Sequence, residues 1–406
     1  MPILKVGILA DDLTSATDGA APFVSMGHRC LVFTDSGRSS PENVAIISVN
    51  KASRAASVKD AVDRATQAAR SLASAEILYS TVDSTIRGHV GAEITAALAA
   101  SGRTTAIVAP AFPAGGRTTE GGRQLLRGVP LEETEFAKDP LHPVADSHLR
   151  ALFRDIPAAG IRHLGLAEVR ALKPGELVAD DRKVLIADAT TQEDLARLVK
   201  SAADPKSILW CGSPGLAIAL ADYVGRADDS TLSALTAALN LFVIGSVNPL
   251  SRDQCSRLMS TGNVRQIIID AEEASRSPVL AAESAAAQYR QSGSSGDVIL
   301  TTSNGATSAD PRSIAIALGK VVRDVGEHHP VTGLFLTGGD TAESVLSELE
   351  IGSLDLLGEV EPGIPVSRTT GPLPIHIVTK AGGFGSSNIL LKSAEVLRGL
   401  WLGDKK

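Results

Sequence analysis

Acidic and basic side chains stand directly after four short apolar runs in the first half of the chain. In chain order they are Asp11 and Asp12 after the first run, Asp35 after the second, Lys51 and Arg54 after the third, and Asp83, Ser84 and Arg87 after the fourth. A carboxylate can accept hydrogen bonds from hydroxyl groups, and it can take the proton of a hydroxyl that attacks phosphorus. A lysine or an arginine can bind a carboxylate. The mixture therefore suits a small polyhydroxy acid as ligand.

The aspartates also have a structural interpretation. Asp12 or Asp83 could cap the helix that follows it, because a short polar side chain accepts hydrogen bonds from the first-turn N–H groups. A cap would not require Arg54 and Arg87, however. Delivery of polar groups by several strands to one edge therefore favours a ligand site.

The second half of the chain has three turns that are rich in glycine or small residues, each directly after an apolar run. They are Gly245 to Asn248, Gly338 to Thr341, and Ala381 to Ser387. Such turns let backbone N–H groups and the positive end of a helix approach phosphate oxygens. One of them alone could be a tight turn and nothing more, but three favour a nucleotide. No P-loop string and no protein-kinase motif set occurs, so the phosphate site is of another kind.

A parallel α/β scaffold is needed to bring these turns together. Short apolar or β-branched runs alternate with alanine-rich stretches of helical spacing, which is typical of parallel sheets covered by helices. Helices are predicted at 58–75 and 92–100. Strands are predicted at 5–10, 30–34, 44–49, 76–81, 105–109, 184–187, 207–211, 241–245, 264–270, 297–302, 333–337 and 375–379. Ligands bind beyond the carboxyl ends of such strands, where the polar residues fall.

Length and composition indicate two domains. A chain of 406 residues, 44% of them hydrophobic, exceeds one ordinary core. A polar, turn-rich stretch at 225–240 precedes a fresh strand. We therefore predict an α/β protein with two α/β domains, 1–230 and 231–406, mainly parallel sheets and an active-site cleft between the domains. The Pro/Gly-rich segment 110–143 is predicted to be a long irregular loop of the functional or disordered kind.

Charge, cysteine content and the amino terminus exclude several classes of protein. The net charge of −7 is spread along the chain, with no basic stripe that would bind nucleic acid. The three cysteines form no CxxC pair and no zinc-like spacing. Two aspartates follow the first apolar run, unlike in a signal peptide, and no apolar stretch reaches the length of about 18 residues that a membrane span needs. We therefore expect a cytoplasmic protein.

With these motifs read, the chain resembles the four-carbon acid sugar kinase family over almost its whole length. Members of that family phosphorylate threonate, erythronate or 3-oxo-tetronate. The matching segments are ADDLT at 10–14, DSTIRG at 83–88, PAFP at 110–113 with GR at 116–117, GGDTA at 338–342 and KAGGFG at 380–385. The chain departs from the family in having Ser15 where glycine is frequent and Thr81 where lysine is frequent. The threonine at position 81 could change which acid the protein prefers as substrate.

The resemblance implies ATP-dependent transfer to a terminal hydroxyl, that on C4, with Mg²⁺ bridging the phosphates. Asp11 or Asp12 would be the base. Arg87, together with Arg117, would approach the negative charge that develops on the transferred phosphoryl group. The expected catalytic residues are therefore Asp11, Asp12 and Arg87. Asp340 is expected near the metal, whose ligand set stays open. Expected substrate contacts are Asp11, Arg54, Asp83, Ser84, Thr85, Ile86 and Arg87. Expected ATP contacts are Ser246, Gly338, Gly339, Asp340, Thr341, Gly382 and Gly383.

Other interpretations stay open on sequence alone. ILADDLT superficially resembles the motif of a haloacid-dehalogenase-like phosphatase, although that motif spaces its two aspartates by one residue and these are adjacent. A non-enzymatic, two-lobed sugar-acid-binding protein would explain a cleft and its cations but not the glycine turns. The sequence also leaves open whether the protein forms a homodimer.

Overall fold

The computed structural model describes residues 4–34, 44–139, 142–178, 183–227, 239–245, 248–262, 264–291, 296–303, 310–370 and 375–399. The chain divides into two compact units, unit 1 at 1–230 and unit 2 at 231–406. Both units contain helices and a mainly parallel sheet, which confirms the predicted fold class. In the part of the chain that the structure describes, no helix is long and apolar enough to cross a membrane.

Unit 1 is built on a parallel sheet. Its strands are β1 (Val6–Ala10), β2 (Cys30–Phe33), β3 (Ile46–Asn50), β4 (Ile77–Thr81), β5 (Thr105–Ala109), β6 (Arg117–Glu120), β7 (Arg123–Leu126), β8 (Val129–Pro130), β9 (Ile161–Leu164), β10 (Val184–Ala187) and β11 (Ile208–Gly212). The main sheet has the order β2-β3-β1-β4-β11-β5-β10-β9, and every neighbouring pair is parallel. Strands β1, β3 and β4 are buried along their whole length, as expected for a sheet covered on both faces.

Helices cover this sheet, and several of them begin with a side-chain cap. They are α1 (Leu13–Ser25), α2 (Val58–Ser71), α3 (Val90–Ser101), α4 (Leu166–Ala171), α5 (Gln192–Ser201) and α6 (Pro214–Val224). Ser57 caps α2, and Thr191 with Asp194 forms a capping box at α5. Apolar side chains such as Leu9, Ile47 and Leu78 form the core between sheet and helices.

The sheet order places β1 between β3 and β4. The chain leaves β1 toward β2 and β3 on one side and later returns to β4 on the other side. Such a reversal of direction leaves a crevice at the carboxyl ends of the strands involved. Unit 1 therefore has a topological switch point at β3-β1-β4.

The segment predicted as a long irregular loop contains a small sheet, so that prediction was wrong for much of 110–139. Strands β6, β7 and β8 form an antiparallel sheet in this order. The buried carboxylate of Asp188 accepts hydrogen bonds from the N–H groups of Gly121 (2.8 Å) and Gly122 (2.9 Å) and so fixes the β6-β7 turn. Asp188 lies more than sixty residues away in sequence, which is why the local pattern gave no signal of this hairpin.

Unit 2 repeats the parallel arrangement and adds two antiparallel strands to it. Its strands are β12 (Asn240–Ile244), β13 (Val264–Ile269), β14 (Asp297–Thr302), β15 (Gly333–Thr337), β16 (Ser353–Glu361), β17 (Ile364–Thr369) and β18 (His376–Lys380). The order is β13-β14-β12-β15-β18-β17-β16, with parallel pairs from β13 to β18 and antiparallel pairs thereafter. Its helices are α7 (Pro249–Met259), α8 (Ala271–Arg276), α9 (Pro278–Gln291), α10 (Pro311–His328), α11 (Gly339–Glu348) and α12 (Ile389–Leu397).

Gly91 fixes the position of α3, because a Cβ atom at this position would lie 1.7 Å from the Leu152 carbonyl oxygen. We expect Gly91→Ala to lower the free energy of unfolding by about 1–3 kcal/mol, since backbone rather than a flexible side chain must move. The control is Gly165→Ala, where φ is −68° and no atom lies within 4 Å of the added methyl. Urea unfolding of both variants tests this. Equal midpoints for the two variants would contradict the packing described.

Candidate functional site

Three adjacent strands bring the predicted residues of the first half to one edge of unit 1. Asp11 follows β1, Arg54 lies beyond β3, and Asp83 lies beyond β4. The Arg54 guanidinium holds the Asp11 carboxylate with two hydrogen bonds, from Nε to Oδ2 at 2.7 Å and from Nη2 to Oδ1 at 3.1 Å. Nη2 also donates to Ser15 Oγ at 3.0 Å. Asp11 is only 6% exposed, so this bidentate ion pair is largely shielded from water.

Asp12 caps the helix that follows it. Its Oδ1 accepts hydrogen bonds from the Ser15 N–H at 2.7 Å and from the Thr14 hydroxyl at 2.9 Å, which makes it the N-cap of α1. Its Oδ2 pairs with Arg54 Nη1. Both carboxylate oxygens are therefore engaged, and the capping interpretation holds for Asp12.

Asp83 does not cap a helix, because α3 begins only at Val90. Its carboxylate instead organises its own turn. Oδ2 accepts hydrogen bonds from the Thr85 hydroxyl at 2.6 Å and from Arg87 Nε at 2.7 Å, and Oδ1 accepts one from Arg87 Nη2 at 3.2 Å. The structure thus brings Asp83, Thr85 and Arg87 together in one polar cluster.

The backbone of the 83–88 turn adopts conformations that few residues favour. Ile86 has φ 56° and Gly88 has φ 92°. A β-branched residue in this left-handed region is a strained outlier that the surrounding contacts must hold. One such contact is the Ser84 carbonyl, which accepts a hydrogen bond from the buried Gln124 Nε2 at 2.8 Å. Ser84 and Ile86 are therefore part of the backbone structure that holds the turn in its conformation.

Arg87 has further partners that sequence reasoning missed. Its Nη1 donates to Asp139 Oδ2 at 3.1 Å, and its guanidinium carbon lies 5.4 Å from the centroid of the Phe136 ring. Both residues come from the segment that had been predicted as irregular. No local pattern marks them, since Asp139 lies 52 residues from Arg87 in the chain.

A small pocket opens beside this cluster. Its lining residues are Asp11, Ser80, Thr81, Val82, Asp83, Arg87, His89, Val90, Glu93 and Ile94. Lys51, which had been considered as a carboxylate ligand, is 3% exposed and pairs with Glu93. The Thr81 hydroxyl is buried, and within the described part of the chain it has no hydrogen-bond partner. The charge of Glu93 is balanced by Lys51. The other charged residues that line the pocket are Asp11, Asp83 and Arg87.

Charge pairing keeps these groups ionised. Burial would raise the pKa of Asp11, but the charge and hydrogen bonds of Arg54 outweigh it and hold that pKa below its usual value. Burial likewise opposes ionisation of Asp83, yet Arg87 and Arg54 hold its pKa well below the usual range. Asp83 in turn raises the pKa of Arg87. The edge consequently presents fixed charges at neutral pH.

In unit 2 the glycine turns also follow three adjacent strands. Gly245 follows β12, Gly338 follows β15, and Gly382 with Gly383 follows β18, and these strands are parallel neighbours. Gly338 has φ 98°, which a residue with a side chain rarely adopts, and it is the N-cap of α11. Its N–H donates to the Lys380 carbonyl at 3.0 Å. Ser246, also expected at this edge, lies outside the described residues.

The first turn of α11 has one buried and one exposed polar side chain. Thr341 is 5% exposed, and a Cβ atom at Gly245 would lie 1.9 Å from its hydroxyl oxygen. Asp340 and the Gly339 backbone lie at the start of α11, and the Asp340 side chain is exposed. Thr341 therefore packs the turn after β15 against the turn after β12, whereas Asp340 faces solvent. Across the described residues, no group of three or more His, Cys, Asp or Glu side chains could hold a metal ion.

Comparison with known proteins agrees with this division. The chain matches a sugar-binding N-terminal domain over residues 6–220 and a nucleotide-binding C-terminal domain over residues 241–390. It is 32% identical to the D-threonate kinase of Salmonella typhimurium, with 99% of this chain and 100% of that protein covered. This chain belongs to the four-carbon acid sugar kinase family.

Other members of the four-carbon acid sugar kinase family match at similar length. The 3-oxo-tetronate kinase of Methylobacterium radiotolerans is 29% identical, with 97% of this chain and 99% of that protein covered. A solved structure from Salmonella typhimurium described as a tRNA synthase has a TM-score of 0.74 and 23% identity, with 96% of this chain and 98% of that chain covered. The structural match shows the same fold. The curated relatives favour a kinase over a phosphatase or a non-enzymatic binding protein.

Gly245→Ala tests the contact that packs the glycine turns of this family member together. We expect a loss of about 1–3 kcal/mol in the free energy of unfolding, because the new methyl would overlap the Thr341 hydroxyl. Thr341→Ala in the same chain should recover part of that loss, which a double-mutant cycle measures. Gly326→Ala, with no atom within 4 Å of the new methyl in α10, is the control and should be neutral or stabilising. Strictly additive effects at 245 and 341 would refute the contact.

Proposed function

We propose that this protein is an ATP-dependent kinase that phosphorylates the terminal C4 hydroxyl of a four-carbon sugar acid such as threonate, erythronate or 3-oxo-tetronate. The observation that carries the proposal is the full-length similarity to a D-threonate kinase. A mixed edge of carboxylates and arginines in unit 1 and three neighbouring glycine turns in unit 2 support it.

Asp11 is the better candidate for the base. It lines the pocket, whereas Asp12 caps α1 with one oxygen and pairs with Arg54 through the other. The lowered pKa makes Asp11 a weak base. That suits phosphoryl transfer, in which the attacking hydroxyl needs orientation more than early loss of its proton. Asp11 would therefore accept a hydrogen bond from the C4 hydroxyl and receive its proton.

Arg54 and Arg87 should have different roles in the proposed reaction. Arg54 already donates to Asp11, Asp12 and Ser15, so its main effect is to hold the Asp11 carboxylate in place. Arg87 keeps one N–H on each Nη nitrogen beyond its hydrogen bonds to Asp83 and Asp139. We assign Arg87 to the substrate carboxylate or to the charge that develops on the transferred phosphoryl group. Asp83, Ser84, Thr85 and Ile86 would bind the sugar acid through the turn that they form.

The nucleotide would use the turns of unit 2. The N–H groups of Gly339, Gly382 and Gly383 would bind the phosphates, together with Asp340, Thr341 and the side-chain-free backbone of Gly338. The dipole of α11 favours phosphate at the start of that helix. Mg²⁺ binds nucleotides mainly through phosphates, water and one or two carboxylates, so the single exposed carboxylate of Asp340 fits this role. When bound, Mg²⁺ would neutralise phosphate charge.

An ADP-release assay with MgATP tests the proposal. We expect turnover with at least one acid in a panel of D- and L-threonate, D- and L-erythronate and the 3-oxo-tetronates. Asp11→Asn should lower kcat by about 10²–10⁴-fold, because the amide cannot accept the proton. Since the pKa of Asp11 lies below its usual value, its protonation should not reduce kcat/KM between pH 5.5 and 8.

Asp63→Asn is the matched control, because Asp63 is exposed on α2 and is not a lining residue of the pocket. It should keep wild-type kcat and KM. Absence of ADP release with every acid in the panel, from folded protein, would reject the kinase. Wild-type turnover by Asp11→Asn would reject Asp11 as the base.

A further inference from the structure

Lys380 is buried directly beneath the glycine turn that follows β18. It is the last residue of that strand and has no exposed surface. A buried ammonium must find hydrogen-bond acceptors, because its transfer out of water is otherwise costly. Here the acceptors are backbone carbonyls of the turn itself, those of Ala381 (3.1 Å), Gly382 (3.0 Å) and Phe384 (3.3 Å), with the Ser251 hydroxyl oxygen farther away at 3.4 Å.

Two further buried side chains donate to the same turn from the same helix, α7. Ser251 Oγ donates to the Gly382 carbonyl at 3.1 Å. Gln254 Nε2 donates to the carbonyls of Phe384, Gly385 and Ser386 at 3.3, 3.4 and 3.0 Å. Five carbonyls between 381 and 386 therefore point toward the interior.

Inward carbonyls determine where the N–H groups point. In a trans peptide the C=O and the following N–H point in opposite directions. The N–H groups of Gly382 and Gly383 consequently face away from Lys380, and in the described part of the chain neither has an acceptor. The N–H of Ser386, oriented in the same way by the Gly385 carbonyl, donates to the Glu361 carboxylate at 2.8 Å. An anionic oxygen is thus already bound by one outward N–H of this turn.

We propose that Lys380 is a positioning residue of the proposed ATP site: its ammonium holds the carbonyls of the 381–384 turn inward, so that the N–H groups of Gly382 and Gly383 face the phosphates of the nucleotide. The proposal rests on the ATP-dependent function given above. Lys380 does not touch ATP in this arrangement. It also links two of the glycine turns, because its own carbonyl accepts the hydrogen bond from the Gly338 N–H.

The protonation state of Lys380 gives the arrangement a measurable signature. Burial lowers the pKa of Lys380 to about 8, and Cys255 on α7 opposes that shift. Burial raises the pKa of Cys255 itself to about 11, so the thiol stays neutral up to pH 9. Above pH 8 the lysine loses one donor and its charge while the nucleotide phosphates keep theirs. Affinity for ATP should therefore fall as pH rises from 7 to 9.

The test compares Lys380→Met with wild type by titration with MgATP and by competition with adenosine. Because hydrogen bonds from a charged donor are stronger than those between neutral groups, we expect the Kd of MgATP to rise about tenfold or more. The inhibition constant of adenosine, which has no phosphate, should stay within about twofold, and so should the KM of the sugar acid. The decline in ATP affinity between pH 7 and 9 should be present in wild type and absent in Lys380→Met.

Lys320→Met is the matched control. Lys320 pairs with Glu348, the last residue of α11, whereas the carbonyl of Lys380 accepts a hydrogen bond from Gly338, the N-cap of the same helix. The two ends are about 15 Å apart at 1.5 Å per residue. This variant should keep the wild-type Kd of MgATP at both pH values.

Ser251→Ala covers the case in which Lys380→Met does not fold. It removes one neutral donor to the Gly382 carbonyl and the most distant acceptor of the Lys380 ammonium, so the Kd of MgATP should rise about two- to tenfold with adenosine unaffected. Unchanged ATP affinity in folded Lys380→Met, or in Ser251→Ala if the first variant does not fold, would overturn the inference. An equal loss for ATP and adenosine would also overturn it, because that indicates a purely structural role. Failure of wild type to bind MgATP would instead reject the proposed function itself.

Discussion

A charged group that folding removes from water must be paired, and this constraint shapes both candidate sites. In unit 1 the Asp11 carboxylate, the Asp12 carboxylate and the Arg54 guanidinium satisfy one another, and Lys51 satisfies Glu93. In unit 2 the ammonium of Lys380 is satisfied by backbone carbonyls instead of a carboxylate. In unit 1, removal of one member of a buried ion pair leaves an uncompensated charge, which costs several kcal/mol. The polar groups of each site are therefore fixed before any ligand binds.

The order of the strands in each sheet brings these locally paired residues together into sites. Parallel strands end at one edge, and the arrangement β3-β1-β4 places the residues that follow three different strands side by side. The arrangement β12-β15-β18 does the same for the glycine turns. One edge offers carboxylates and guanidinium groups, which suit hydroxyls and a carboxylate. The other offers backbone N–H groups and a helix start, which suit phosphate.

Buried parallel strands were the most predictable part of the fold. The strands at 105–109, 184–187, 297–302 and 333–337 have the predicted bounds, because continuous apolar runs between polar turns specify them locally. Strand β9 was missed because only its two end residues are buried, and β16 and β17 were missed because their residues mix apolar with polar and half-exposed positions. Strand β18 lies one residue later than predicted, at 376–380 instead of 375–379, and it ends in a lysine whose buried ammonium is bound mainly by carbonyls of the following turn.

The site was predictable where polar residues directly follow strands and not where their partners come from elsewhere. Asp11, Arg54, Asp83 and Arg87 do meet at one edge, whereas Glu93, Asp139 and Gln254 carry no local signal of their role.

Phosphorus NMR of the product formed from MgATP and the preferred acid tests the central claim most directly. Our account predicts a phosphate monoester whose ³¹P resonance couples to the two protons of a CH₂ group, as phosphorylation at C4 requires. Inorganic phosphate as the sole new signal besides those of ADP, or an ester coupled to a single proton, would contradict it.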